Sequence, residues 1–212
     1  MKIILSELEK ISHIVLTHAE QSGLSRIKVA LDYYWHVSAD DNYKKEIPTI
    51  LPVGSLIDDL NCLGKVLTKE NVATTIDFDR LGNVIKIIGH WIQQPIVSEI
   101  PDEHPNVIID IAKIKRLCKA ILGKAQRAHL EELELDADSY LCIRPEEAYD
   151  LTKSPDPITK SLASDWNSLK EILINQSEPT SANFEELGTI FAFTGEAIHR
   201  SKGIAAWLAI NN

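Results

Sequence analysis

Ser55-Leu56-Ile57-Asp58-Asp59-Leu60-Asn61-Cys62-Leu63 is echoed 106 residues later by Ser161-Leu162-Ala163-Ser164-Asp165-Trp166-Asn167-Ser168-Leu169. The same ungapped offset lays Asp32-Tyr33-Tyr34-Trp35-His36-Val37 on Asp138-Ser139-Tyr140-Leu141-Cys142-Ile143, and Tyr43 on Tyr149. Phe78, Leu81, Gly82, Gly89 and Ile92 fall on Phe184, Leu187, Gly188, Gly195 and Ile198. Self-similarity at one fixed spacing marks a repeated structural unit. The chain therefore reads as a diverged tandem duplication, with copy 1 over residues 1–94, a linker over 95–106 and copy 2 over 107–212. The linker holds Pro95, Pro101 and Pro105 among Glu99, Asp102 and Glu103, which is breaker composition.

Outward from the quoted stretch, each copy reads as helix, strand, loop, helix, helix. Ile4, Leu8, Ile11 and Val15 predict a helix over 3–20; Ile111, Ile114, Leu117 and Ile121 predict one over 108–128. The period then falls to two. Ile27, Val29, Leu31, Tyr33, Trp35 and Val37 alternate with mostly polar neighbours, as do Leu133, Leu135, Ala137, Leu141 and Ile143. Such alternation predicts a strand with one buried face, and the two strands are expected to pair about a pseudo-twofold axis. Helices are expected to start near Ser55 and Ser161 and to run over 77–93 and 183–200. Ser55-x-x-Asp58 resembles a capping box; Ser161-x-x-Ser164 lacks the acid. The fold expected is α+β, helix-rich with a small sheet, an α-β-α-α unit duplicated and packed as one compact body.

Gly82 and Gly89 lie seven apart on one helix, and Gly188 and Gly195 repeat the spacing. A mid-helix glycine costs about 1 kcal/mol relative to alanine. Two per helix in both copies imply a compensating close approach of backbones, expected between the copies.

Composition narrows the function classes. Of 212 residues, 44% are hydrophobic and 25% charged, with a net charge of −9. Both halves are acidic, which argues against nonspecific binding to nucleic acid or anionic membranes. Cys62, Cys118 and Cys142 form neither a disulfide framework nor a zinc signature, so a reducing cytoplasm is expected. No apolar run reaches membrane-spanning length.

Candidate ligand- or partner-facing residues are Tyr34, Tyr140, Tyr43, Tyr149, Asp59, Asp165, Glu132, Glu134 and Asp136. The bland alternative for the tyrosines is packing beneath a loop with a bonded hydroxyl. For the aspartates it is helix-start electrostatics, since consecutive helical side chains such as Asp58 and Asp59 diverge and do not converge as a dyad. Glu196-x-x-His199 has a di-metal spacing but no second copy, so neither metal nor cofactor is expected, and no catalytic residue is assigned. Lys113, Lys115, Arg116, Lys119, Lys124 and Arg127 occupy an acid-free stretch, and Glu131, Glu132, Glu134, Asp136 and Asp138 follow directly. That reads as a solvated basic face beside an acidic strand, or as a bipolar surface for a charged protein.

The function expected is a non-enzymatic cytoplasmic protein-binding or regulatory module with a charge-complementary protein partner; an immunity or inhibitor protein for a basic toxin is one version. The alternatives are a small-molecule sensor with its site between the copies, and an enzyme with a site in one copy only, using His36, His90 or Asp58.

Overall fold

The computed structural model describes residues 1–30, 56–68, 73–93, 106–135 and 161–200. Among the described residues the order is β1 (Lys2–Ile4), α1 (Leu5–Gln21), β2 (Arg26–Ala30), α2 (Leu56–Thr68), α3 (Ile76–Gln93), β3 (Asn106–Asp110), α4 (Ile111–Arg127), β4 (Glu132–Glu134), α5 (Leu162–Asn175) and α6 (Ser181–Arg200). The architecture is helix-rich α+β with two small antiparallel sheets. Each element of the second half begins and ends within two residues of a first-half element advanced by 106. Among the described residues no helix is long and apolar enough to cross a membrane.

The expected pairing of the two alternating strands is corrected. β2 pairs with β3 and β4 pairs with β1, so each sheet takes one strand from each half. Lys2 lies opposite Glu134 and Ile4 opposite Glu132; Lys28 lies opposite Ile108 and Arg26 opposite Asp110. The helices expected over 3–20 and 108–128 also start later, at Leu5 and Ile111. Their first residues are strands, and Asn106 belongs to β3 rather than to the linker. Ile3-Ile4 and Val107-Ile108-Ile109 are β-branched runs with a modest preference for pleated backbone. Their backbone groups bond to the other half's strand, and just beyond the ladders Leu5 N–H donates to Glu131 O (3.0 Å) and Ile111 N–H to Ser25 O (3.1 Å). Period-two burial holds in both alternating strands: Ile27, Val29, Leu133 and Leu135 are buried, while Arg26, Lys28, Glu132 and Glu134 are exposed. The outer parts of the predicted strands, with Tyr34, Tyr43, Tyr140, Tyr149 and Asp136, lie outside the described residues.

α3 and α6 form the centre. They run antiparallel, with Leu81, Val84, Ile85, Ile88, Leu187, Ile190 and Phe191 buried along them and the Phe78 and Phe191 rings tilted at 6.2 Å between centroids. The glycines permit this approach. A Cβ on Gly82 would strike the Gly188 carbonyl oxygen, and one on Gly188 would strike that of Gly82. A Cβ on Gly195 would lie 2.5 Å from Thr75 O and 2.6 Å from Phe78 Cβ, and one on Gly89 would run into Phe184. α1 and α4 form a second antiparallel pair; α2 braces α3 and α4, and α5 braces α6 and α1. All of this belongs to one continuous apolar core.

Candidate functional site

Asp59 leaves the first turn of α2 and is buried, 6% exposed. Its Oδ1 lies 3.3 Å from Arg80 Nε, one helix away on α3. Arg80 Nη1 reaches Asp77 Oδ1 at 2.9 Å. The other oxygen of Asp77 accepts from the Thr74 backbone N–H (2.6 Å) and hydroxyl (3.0 Å), while Asp77 N–H donates to Thr74 O (3.1 Å). Close by, Lys124 of α4 is 3% exposed and its Nζ donates to Ala73 O at 2.5 Å. Burial pushes its pKa down to about 8, against the pull of the Asp77 carboxylate. Two carboxylates, a guanidinium and an ammonium thus sit together beneath the start of α3. Both Asp77 oxygens are taken by donors, so the arrangement clamps α2, α3 and α4 rather than presenting a free base.

The second half carries the same arrangement with other chemistry. Thr180 N–H and hydroxyl donate to Asn183 Oδ1 at 2.7 and 3.0 Å, where the first half has Thr74 and Asp77. The place of Arg80 is held by Glu186. Its Oε2 accepts from the Ser168 hydroxyl (2.9 Å) and the Asn183 amide (2.8 Å). Burial raises the Glu186 carboxyl above its ordinary pKa, with hydrogen bonds from Asn183 and Ser168 opposing and the Asp165 charge adding. Asp165 is half-buried in the first turn of α5. The expectation of helix-start aspartates in both copies therefore resolves differently: Asp59 ion-pairs with α3, whereas Asp165 adds its charge beside Glu186. Sequence reading missed Asp77, Arg80, Asn183 and Glu186. The signal available was Thr-x-x-Asp and Thr-x-x-Asn, 106 residues apart, ahead of each last helix.

The basic stretch of α4 does not form one solvated face. Lys115 donates across the seam to Glu20 (2.9 Å) and Thr17 Oγ1 (2.9 Å), Lys113 lies against Gly64 of α2, and Lys124 points inward as above. Glu132 pairs with Lys2 of the neighbouring strand at 3.1 Å; Glu131, Glu132 and Glu134 are exposed. Glu196 pairs with Arg200, while His90 is exposed in the last turn of α3 and Asp58 is half-buried in the first turn of α2. His36 lies outside the described residues. Among the described residues no three His, Cys, Asp or Glu side chains are grouped to hold a metal ion.

An open groove of about 880 Å³ follows the α1–α4 seam. Both helices line it at matched positions: Glu9 and Lys115, Lys10 and Arg116, His13 and Lys119 are each 106 apart. Gln126 Nε2 donates to Glu9 at 3.2 Å, which mirrors the Lys115–Glu20 contact across the seam. No protein-family model, curated protein or solved structure matches the chain.

Proposed function

We propose that the chain is a non-enzymatic, cytoplasmic protein-binding module, a diverged tandem duplication packed about a pseudo-twofold axis, that engages a protein of complementary charge. An inhibitor or immunity protein for a basic target is one form of it. The observation that carries this reading is the division of labour among the charged groups. Asp59 and Asp77 are spent on Arg80 inside the fold, while Glu131, Glu132 and Glu134 stand exposed together at the β1–β4 sheet, Glu132 paired there with the exposed Lys2. Exposed charge of one sign speeds encounter with an opposite surface and selects among partners. The matched element boundaries, the exchanged strands and the reciprocal glycine contacts support duplication. Cys62 and Cys118 are free thiols, in keeping with a reducing compartment.

Affinity capture with the purified chain tests it, at low and high salt, beside the Glu132→Gln/Glu134→Gln variant. A stoichiometric protein lost at high salt and lost with the variant is expected. A blank at both salts, or a partner held equally by the variant, rules the reading out. The groove between the halves favours a second reading, a small-molecule sensor with its site there. That reading requires a ligand that raises the melting temperature with its concentration.

A further inference from the structure

We infer that the groove along the α1–α4 seam receives an amphipathic helix of the partner, one whose apolar stripe is flanked by carboxylates. This rests on the reading above only in taking the ligand to be a protein; the surface is a second one, opposite in charge to the Glu131–Glu134 face. The groove's carboxylates are engaged: Glu9 accepts from Gln126 and Glu20 from Lys115. Its outer cations are not. Lys10, Arg116 and Lys119 are exposed and have no ion pair or hydrogen bond among the described residues; His13 stands exposed beside them. A chain of net charge −9 thus leaves positive charge along one groove. Ile14 and Leu173 also line it, half-buried and packed against the core. The stems of the lysines and Arg116 add further apolar surface.

Apolar side chains of α1 and α5 beside cations of α1 and α4 match a helix with an apolar stripe and with Asp or Glu along its edge. α1 has 17 residues, hence a length of about 25 Å at 1.5 Å per residue, room for four turns of a docked helix. Lys10 matches Arg116, so each rim offers a cation, and Lys119 adds another on α4 where α1 has His13. A second copy of the chain docking groove to groove would set cation against cation, and a lone small anion would leave the apolar side chains uncovered.

The test uses the full chain and a fluorescein-labelled helical peptide of about 18 residues, with leucines at helical spacing and glutamates flanking them. Anisotropy should show saturable binding that weakens with salt and weakens at least tenfold for Lys10→Glu/Arg116→Glu/Lys119→Glu. The substituted side chains are exposed, so the triple variant should stay folded. Lys10→Gln/Arg116→Gln/Lys119→Gln, which adds no carboxylate beside Glu9 and Glu20, should keep the wild-type melting temperature and also bind more weakly. The same peptide with lysine for glutamate, or with its leucines scattered, should bind at least tenfold more weakly. Absence of saturable binding, equal binding by the triple variant, or equal binding of the scattered peptide overturns the proposal. So does a wild-type dimer in sedimentation that the peptide leaves intact and the triple variant abolishes, which would make the occupant a second copy. Failure of the peptide with salt-sensitive capture intact removes the groove and leaves the module. Failure of the capture with peptide binding intact removes the acidic face and leaves the groove.

Discussion

At the residue scale, the close contacts of α3 and α6 concentrate at Gly82 and Gly188, where each residue's missing Cβ makes room for the other's carbonyl oxygen. Backbone cannot step aside as a flexible side-chain end can, so Gly188→Leu should cost at least about 3 kcal/mol, read as the shift of a denaturant midpoint. Gly123→Leu is the control: a Cβ there meets only the end of Arg127 at 3.6 Å. Equal effects at the two sites would sink the close-packing account. This contact was legible in the sequence because glycine in a helix interior is costly and its spacing recurred. Arg80 was not, because its partner Asp59 lies 21 positions back on another helix and no periodicity links them. Lys124 was read as part of a solvated face for the same reason. Its pKa lies near 8 in the folded chain against 10.5 ordinarily, through burial first. Below about pH 8 both states carry the proton and the contribution is constant. From about 8 to 10.5 only the unfolded chain does, so this group adds stability as pH rises, by about 3 kcal/mol. Cys118 acts in the opposite sense: burial pushes its thiol from 9.0 to about 12, so stability is lost as pH rises from 9.0 towards 12. In a Cys118→Ala background, the unfolding free energy of the Lys124 protein minus that of Lys124→Met should therefore climb between pH 8 and 10.5. A flat difference would show that Lys124 is not the titrating group.

At the element scale, helix starts depended on local chemistry, and strand ends on the other half of the chain. Ser161 precedes α5 with extended backbone, and its hydroxyl accepts from Ser164 N–H at 3.1 Å. The serine alone performs the cap, so the missing acid of the capping box did not matter. Ser161→Ala should lower stability by about 1 kcal/mol, and Ser161→Asp should retain most of it; chemical denaturation distinguishes the two, and an alanine variant as stable as the wild type would deny the cap its role. The starts of α1 and α4 were misread because Ile3-Ile4-Leu5 fits a helical face and a strand equally well. What decides is the partner strand, supplied from about 130 residues away at β1 and about 80 away at β3, which no local window contains. The two halves also punctuate one turn differently. Gly23 follows α1 at φ 86, and the residue 106 later, His129, takes the left-handed conformation at φ 58, which is strained for a residue with a Cβ.

At the scale of the whole molecule, each sheet among the described residues takes one strand from each half, and a half alone would leave one side of the α3–α6 core open. Fragments 1–105 and 106–212 should each lack a native monomer, and mixing them should restore one 1:1 complex with the circular dichroism of the intact chain. A half could also close on a second copy of itself if its seam can stand in for that of the other half. The seam argues against this for the first half. In the intact chain Glu20 faces Lys115 and Glu9 faces Gln126. Two first halves would put Glu9 against Glu20 twice, and like charges at contact distance oppose association. Two second halves would face Lys115 with Gln126, which carries no such repulsion. Fragment 1–105 should therefore self-associate more weakly than fragment 106–212, and Glu9→Lys should strengthen it by restoring the pairing that Lys115 makes with Glu20. Sedimentation of the three fragments at low salt reads this order directly. Raising the salt should narrow the gap between Glu9→Lys and its parent, because screening removes the repulsion in one and the attraction in the other. A fragment 1–105 that is a folded monomer under these conditions would mean that the exchanged strands are dispensable and that the halves are separate domains.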